Sequence, residues 1–455
     1  YLAAGKTYEF SPHATSKFEI KNGFLQSVGD CQNTIKIRTL TGEPIRFNVA
    51  NTAASSVQYT YIEGMNNTGA ALTVANSIDG GNNTNINFAS VGAGVTYYWR
   101  RRKGTTGTHI SHFTGNWLNP GHWTTDPMKV DGDSLCIPTI LDDVVIDNLS
   151  SMSGAGGDSI IINDMAFCRS LTFAANKRTT SLAAGVGTLY MGGSLTLFPN
   201  MTHHNFSGNL YFVGSGSITS NGTPLKNVAV WFNKVGGVWH LQDPLTTSGA
   251  VSAAYGAFYL LSGQLNTNGH TLDLNTIFST WNSALPRELN LGSSVVNIRQ
   301  RSSAMETWYA TNYNTFRLNA GTSVINFIAP LAVSRPNRNL YMGPTNMTDT
   351  MPRYNIVNFH NSIEETHLYG RSFFRYANCA SNMRMTYNNT FDSLYLEGGY
   401  FYRFDQNTTQ TLSSPYGKII ANGNPSAFIN IETTQAGVAF ANRSRFYKAF
   451  GTGFC

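Results

Sequence analysis

The chain has 455 residues, and only 12% of them are Lys, Arg, Asp or Glu, about half of the roughly 25% that is usual. Helical surfaces depend on charged side chains, so this composition argues against a largely helical protein. The 43 glycines and the 12% aromatic content instead favour short strands joined by tight turns. The net charge of +6 is thinly scattered, with one basic run at residues 100–103, so we expect no nucleic-acid partner.

No stretch of the sequence approaches the roughly 20 apolar residues of a membrane helix, so we expect no transmembrane segment. The chain opens at Tyr1 without a signal peptide, which we interpret as a piece of a longer polypeptide. The cysteines show no spacing typical of metal ligands, so we expect structural disulfides, an oxidising compartment, and neither a metal nor a cofactor. They are Cys31, Cys136, Cys168, Cys379 and Cys455.

A long internal repeat divides the chain. Residues 1–10 reappear at residues 395–404, and the offset of 394 needs no gap for almost forty residues. We therefore interpret residues 1–96 as the C-terminal part of one module and residues 97–455 as most of a second. Within the second module, we assign residues 97–170 to a start region and residues 171–455 to stacked strands.

A finer repeat lies inside the second module. Residues 289–298 are echoed 29 residues later at 318–327, and residues 368–370 are echoed 28 residues later at 396–399. Each copy is a short strand, a glycine corner and an alternating strand, which buries its apolar face only by stacking on its neighbours. The sequence therefore predicts an all-β fold of tandem parallel β-solenoid modules, most simply right-handed β-helices, with parallel stacking over residues 160–440. An array of β-sandwiches is the rival.

The predicted module start differs in composition from the rest of the second module. Its aromatic residues cluster around two short motifs, Gly115-Asn116-Trp117 and Gly121-His122-Trp123. Terminal repeats must cover the open end of a stacked core, so we expect this cluster to form a cap.

These residues also carry a family resemblance. The two aromatic motifs are followed by Cys136-Ile137-Pro138 and by an acidic and aliphatic strand at residues 142–147. This order resembles the module start of giant repetitive cell-surface proteins of gliding Bacteroidota-type bacteria. Residues 237–245 and 262–269 resemble the interior coils, the stacked repeat units, of that family.

The resemblance implies export by the type IX system, display on the cell surface in association with the outer membrane, and a role in adhesion or gliding motility. It also implies two kinds of partner, neighbouring modules and the export and motility machinery. The matching motifs are architectural and name no reaction.

Asp-(Ser/Thr)-aliphatic triplets resemble the O-glycosylation sequon of exported Bacteroidota proteins. Chance occurrence in a chain rich in Ser and Thr is the alternative, and the sequence leaves this open. The candidate acceptors are Ser134, Ser159, Thr350 and Ser393.

The spacing of two cysteines predicts a disulfide between Cys136 and Cys168. The 31 residues between them approximate one turn of stacking, which places neighbouring positions about 4.8 Å apart, within the range that a disulfide tolerates. We expect Cys31 to have its partner upstream of the chain. Cys379 and Cys455 could pair with each other, although the spacing argument does not extend to them and their pairing stays open.

The sequence shows no catalytic constellation, so we predict that the chain is not an enzyme. Asp142 and Asp143 are adjacent on a strand and point to opposite faces. One of them could join Asp147 at a calcium site, although a hydrated module edge is the preferred interpretation. Glu364 and Glu365 are adjacent, and no partner is predicted for them. We interpret the histidines as surface or stacked residues rather than metal ligands. They are His203, His204, His240 and His270.

Aromatic side chains are the better functional signal, because outward rings can stack on sugars, although each is also a candidate core residue. The function that we expect is an extracellular structural and adhesive module that binds a surface polysaccharide or an abiotic surface. A β-helical polysaccharide lyase or glycoside hydrolase is the alternative, and an acidic cluster within about 5–10 Å would favour it. The candidate contact residues are Trp231, Trp239, Trp281, Trp308 and Tyr309.

Overall fold

The contacts of the chain group into two compact units, unit 1 (Tyr1–Ser217) and unit 2 (Ile218–Cys455). This boundary differs from the predicted join near residue 97, and the division into two successive modules stays a prediction. The computed structural model describes residues 1–12, 16–40, 44–89, 94–102, 114–150, 158–174, 180–199, 201, 207–248, 257–274, 278–279, 285–299, 307–310, 312–328, 337–360, 365–413, 415, 417–433 and 445–448.

The regular secondary structure of both units is almost all β-strand, and most neighbouring strands pair in parallel. The prediction of an all-β chain with parallel sheets is therefore confirmed. Across the ranges given above, the single helical element is a 3₁₀ turn at Pro120–His122. No helix in those ranges is both long enough and apolar enough to span a bilayer.

The first part of unit 1 contains short strands that alternate among three parallel sheets. The sheet orders are β1-β4-β7-β10, β2-β5-β8 and β11-β9-β6-β3, so the chain visits each sheet in turn. The strands are β1 (Thr7–Phe10), β2 (Lys17–Ile20), β3 (Gln26–Val28), β4 (Ile35–Thr39), β5 (Ile45–Val49), β6 (Ser56–Gln58), β7 (Thr60–Glu63), β8 (Met65–Asn67), β9 (Leu72–Ala75), β10 (Ile78–Gly81) and β11 (Ile86–Ala89).

Alternation along each strand fills the core between these sheets. In β4, Ile35 and Ile37 are buried, whereas the intervening Lys36 points away, as the period of two requires. The same rule brings Phe47 and Leu72 into one cluster with them. Burial of these apolar side chains, at about 25 cal/mol per Å², is the main stabilising contribution here.

The rest of unit 1 contains the predicted module start and longer strands. These are β12 (Thr96–Trp99), β13 (Arg101–Arg102), β14 (Thr114–Asn116), β15 (Trp123–Thr124), β16 (Asp131–Gly132), β17 (Asp143–Ile146), β18 (Asp158–Ile162), β19 (Met165–Cys168), β20 (Leu171–Phe173), β21 (Thr180–Met191), β22 (Leu195–Thr196), β23 (Ser207–Phe212) and β24 (Gly216–Thr219), the last of which contains the unit boundary.

The three tryptophans of the predicted aromatic cluster, Trp99, Trp117 and Trp123, pack together and are fully buried. Trp123 packs edge-on against Trp99 and Trp117, with ring centroids 4.9 Å away in each case. His122 stacks on Trp99 at 4.8 Å, and the indole nitrogen of Trp123 donates to the carbonyl of Trp117 at 2.8 Å. Gly115 packs directly against this stack. A Cβ at position 115 would lie only 2.7 Å from the Trp99 ring.

Unit 2 continues with strands that pair in parallel. They are β25 (Leu225–Lys226), β26 (Val228–Leu241), β27 (Leu245–Ser248), β28 (Phe258–Asn266), β29 (Leu272–Leu274), β30 (Phe278–Ser279), β31 (Arg287–Asn290), β32 (Val295–Arg299), β33 (Trp308–Tyr309), β34 (Phe316–Asn319), β35 (Val324–Ile328), β36 (Asn337–Tyr341), β37 (Arg353–His360), β38 (Glu365–Tyr369), β39 (Phe373–Ala380), β40 (Met383–Met385), β41 (Thr390–Glu397), β42 (Phe401–Phe404), β43 (Thr409–Leu412), β44 (Lys418–Asn422), β45 (Asn430–Thr433) and β46 (Arg445–Lys448).

The repeat of 29 residues is the pairing register of these strands. Leu289 pairs with Leu318, and Val295 pairs with Val324. The second repeat, between residues 368–370 and 396–399, does not correspond to strand pairing. Leu368 instead pairs with Met385, and β41, which contains residue 396, lies in another sheet beside β39. That prediction was wrong because the strand sequences resemble each other without being neighbours.

The long repeat is accompanied by the same local structure at both places. Tyr8 pairs with Ile37 in β1 and β4, and Tyr402 pairs with Ile431 in β42 and β45. The Tyr8 hydroxyl accepts from a backbone nitrogen five residues earlier at 2.7 Å, and the Tyr402 hydroxyl does so at 2.9 Å. The offset of 394 residues therefore relates two equal pieces of backbone.

Two equivalent corner glycines allow a matched test of the close stacking. Both Gly292 and Gly321 have a φ of 57°. A Cβ on Gly321 would lie 2.4 Å from the Gly292 carbonyl oxygen, whereas a Cβ on Gly292 meets nothing closer than 3.9 Å. The Gly292 oxygen also accepts from the Thr322 nitrogen at 2.8 Å, which limits its movement.

We expect both Gly292→Ala and Gly321→Ala to destabilise the chain by about 1–2 kcal/mol through the left-handed backbone. The close contact should add roughly 1–3 kcal/mol to Gly321→Ala alone. Thermal unfolding followed by circular dichroism measures the difference, and equal midpoints for the two variants would contradict the stacked geometry.

Candidate functional site

A row of aromatic side chains runs across one sheet of unit 2. Register pairs connect Trp231 to Tyr259 and, through Ser279 of β30, to Tyr309. The row then continues to Tyr341 and Tyr369. We call the five aromatic residues the aromatic row: Trp231, Tyr259, Tyr309, Tyr341 and Tyr369.

The rings of the aromatic row stack along the direction in which the strands pair. Trp231 lies flat on Tyr259, with centroids 3.7 Å apart and planes at 9°. Tyr341 lies flat on Tyr369 at 4.7 Å, whereas Tyr309 is turned by 74° relative to Tyr341 at 4.8 Å. The ring of Tyr309 therefore has a different orientation from the stacked rings beside it.

Four members of the aromatic row lie on the outer face, because each is half-exposed between two buried neighbours. Trp231, for example, lies between the buried Val230 and Phe232. Four members are half-buried, and Tyr259 is buried beneath Trp231. Burial raises the pKa of Tyr259 to about 12 and also raises the pKa of Tyr369, so these phenols keep their protons at neutral pH.

Two of the predicted contact residues are core residues instead. Trp239 and Trp308 are both 0% exposed. Trp239 packs against Phe232 at 5.1 Å, and Trp308 packs against Phe278 at 4.8 Å. The prediction of surface contact is therefore wrong for these two tryptophans, whereas Trp231 and Tyr309 lie on the outer face. Trp281 lies outside the described residues.

A cluster of charged side chains flanks the end of the aromatic row. Register pairs place His367, Arg384, Arg403 and Glu432 on four successive strands, β38, β40, β42 and β45. Glu365 and Asp405 complete the set, which we call the charged cluster. The His367 ring approaches the Tyr369 hydroxyl at 3.3 Å, so the charged cluster and the aromatic row share one surface.

Arg403 is the centre of the charged cluster. Its Nε donates to Glu432 at 2.7 Å, and its Nη1 donates to Glu365 at 3.2 Å. The other Glu365 oxygen lies 2.5 Å from His367 Nε2. The hydrogen bond to Glu432 raises the pKa of Arg403. The expectation that Glu365 lacks a partner was therefore wrong, since strand stacking supplies one from 38 residues away.

The acidic residues of the predicted module start accept hydrogen bonds from protein donors. Asp142 accepts from the Val95 nitrogen at 2.9 Å and from the Thr139 hydroxyl at 2.6 Å. Asp147 forms an ion pair with the buried Arg100 at 2.8 Å. Among the residues that the structure describes, no group of three His, Cys, Asp or Glu side chains has the geometry of a metal site.

The disulfide prediction requires a correction. Cys136 is bonded to Cys31, with Cα atoms 5.3 Å apart across 105 residues, so the expectation of an upstream partner for Cys31 was also wrong. Cys136 lies in a loop outside the strand ladder, whereas Cys168 points into the core beside its register partner Met191. Cys168 and Cys379 are free and buried, and Cys455 lies outside the described residues.

The candidate glycosylation residues differ in accessibility. Thr350 is exposed, and modification there stays a prediction. Ser134 is half-buried, and its hydroxyl donates to the Cys136 carbonyl at 2.8 Å. Ser393 is 4% exposed between its register partners Tyr376 and Lys418, which places its hydroxyl out of reach in the folded chain. Ser159 lies in β18, and its side chain lies outside the description.

Comparison of the chain with protein-family models, with curated proteins and with solved structures finds no match.

The cysteine assignments predict a specific alkylation pattern. Burial raises the pKa of the Cys168 thiol and of the Cys379 thiol, which disfavours the reactive thiolate. In the folded chain we expect neither to react with iodoacetamide. After unfolding without reductant, both should be labelled, whereas Cys31 and Cys136 should be labelled only after reduction. Peptide mass spectrometry measures this, and a Cys136–Cys168 linked peptide would contradict it.

Proposed function

We propose that this chain is a structural and adhesive segment of a giant, repetitive cell-surface protein. Its parallel sheets would then be right-handed β-helix modules arranged in tandem and exported by the type IX system. In support, strands alternate among three sheets in residues 1–89, and the same strand pair recurs at an offset of 394 residues. The sequence resemblance to proteins of gliding Bacteroidota-type bacteria supports the cell-surface location and a role in adhesion or motility.

The aromatic row is the observation that best supports a binding function. Rings half-exposed along one face can contact the apolar faces of sugars, and phenol hydroxyls can bond sugar oxygens. A purely structural role is the alternative, because stacked aromatic pairs contribute about 0.5–1.5 kcal/mol to stability. We propose that the row contacts a surface polysaccharide, and that its repetition in further modules raises avidity without a stronger single site.

The variant Tyr341→Ala/Tyr369→Ala tests this proposal. We expect it to weaken binding to an immobilised neutral polysaccharide roughly three- to tenfold, because two ring contacts are lost. Tyr376→Ala is the matched control, since Tyr376 is a half-buried tyrosine of β39, in another sheet. Co-sedimentation with insoluble polysaccharide measures the affinity. If the unaltered chain, the double variant and Tyr376→Ala bind equally well and keep their thermal stability, the aromatic row has a purely structural role.

A second candidate function is cleavage of a glycosidic bond at the charged cluster. Glu365 and Glu432 bind the same guanidinium, so their carboxylates are neighbours on the surface, and hydrolases use two carboxylates about 5–10 Å apart. Arg403 neutralises both of them in this arrangement, which favours the structural interpretation. Release of oligosaccharides from a polysaccharide panel, abolished by Glu365→Gln, would establish the enzyme instead.

A further inference from the structure

A groove of about 660 Å³ lies in unit 2. Its floor includes the register row Gln264, Glu288 and Arg317 of strands β28, β31 and β34. The loop before β37 forms one wall with Thr350, Met351 and Pro352, and Phe316 lies in the lining as well. The lining of the groove thus combines polar and charged side chains with apolar ones.

The groove carries an excess of positive charge. Its charged lining residues are three arginines, Arg287, Arg317 and Arg353, and one glutamate, Glu288. Glu288 accepts a hydrogen bond from the Asn319 amide at 2.7 Å and lies beside Arg317 in the ladder. The lining is therefore net positive, which attracts anionic groups.

Two of these arginines lack an acidic partner. Arg317 and Arg353 are exposed, and no described carboxylate lies within ion-pair distance of either guanidinium. Elsewhere in unit 2 the arginines Arg299, Arg384 and Arg403 each bind a carboxylate. The Arg353 guanidinium is instead held 3.7 Å above the Phe373 ring, which orders it without neutralising it.

Arg287 adds a buried positive charge at the base of the groove. It is 2% exposed and donates to the Leu285 carbonyl at 3.1 Å and to the Thr315 hydroxyl at 2.8 Å. Burial lowers the pKa of Arg287 to about 10, so the group keeps its proton at neutral pH. A charge beneath the surface is screened less by salt than an exposed one.

We propose that this groove binds an anionic polysaccharide whose sugars carry carboxylates, with Arg317 and Arg353 as the carboxylate ligands. A guanidinium presents two parallel donors that match the two oxygens of a carboxylate. The apolar lining residues suit the rings of the sugars, and the open groove accommodates a chain rather than an isolated ion. This site rests on the proposed function as a polysaccharide-binding segment and adds the chemical class of a ligand.

The test is calorimetric titration of the whole chain with polygalacturonate, and with the same polymer methyl-esterified so that its carboxylates are neutral. We expect polygalacturonate to bind and the ester to bind at least tenfold more weakly. Arg317→Gln/Arg353→Gln should weaken polygalacturonate binding at least tenfold, since charged hydrogen bonds are lost. The matched control is Arg375→Gln, which removes an exposed arginine outside the groove and should bind as the unaltered chain does.

Comparison of these ligands and variants decides which class of ligand the groove binds. Equal binding of the ester, equal binding by the double variant, or tighter Arg317-dependent binding of a sulfated polysaccharide or of single-stranded DNA would overturn the proposal. Binding of neutral polysaccharide that depends on Tyr341, without binding of polygalacturonate, would refute the groove but leave the proposed function intact. If the folded, unaltered chain binds neither neutral polysaccharide nor polygalacturonate, both the groove site and the proposed function are refuted.

Discussion

Parallel, in-register pairing of short strands is the constraint on which the rest of this molecule depends. Each strand lies about 4.8 Å from the next, so a side chain meets its register partner directly above and below. Polar rows satisfy themselves in this way, as the amides of Asn326, Asn358 and Asn378 do, each donating to the row member before it at 2.5–2.8 Å. Apolar rows form the core, and outward rows form surfaces.

Both candidate surfaces of unit 2 follow from this pairing. The aromatic row, the charged cluster and the floor of the groove are all rows of one long parallel sheet. A row needs no loop to position it, because backbone hydrogen bonds already fix its members. The same geometry is suited to a long polymer, which can contact several members of a row at once.

The sequence allowed the parallel strands and part of their register to be predicted. The echo between residues 289–298 and 318–327 is the register itself, because glycine corners and apolar positions recur together. The orientation of the tryptophans was harder to predict. Trp231 and Trp239 are eight residues apart in β26 and would share a face in a straight strand, but irregular pairing between Asn233 and Val238 turns Trp239 inward.

The charged cluster and the disulfide were not predictable for a related reason. Arg403 and Glu432 are separated by the repeat length, whereas Glu365 reaches Arg403 across two shorter turns of chain. The intervals between paired strands vary, so a constant spacing could not locate Glu365. Cys136 lies outside the ladder altogether, so its partner Cys31 was set by packing within unit 1 rather than by any repeat.

Cysteine cross-linking across the strand register tests the central claim most directly. Asn297 and Asn326 are register partners on one face, at a separation that a disulfide tolerates. Asn297→Cys/Asn326→Cys should form a disulfide under mild oxidation, whereas Asn297→Cys/Ile325→Cys should not, because Ile325 points into the core. Peptide mass spectrometry identifies the linked pair. Equal cross-linking of both pairs, or of the second pair alone, would contradict in-register parallel stacking.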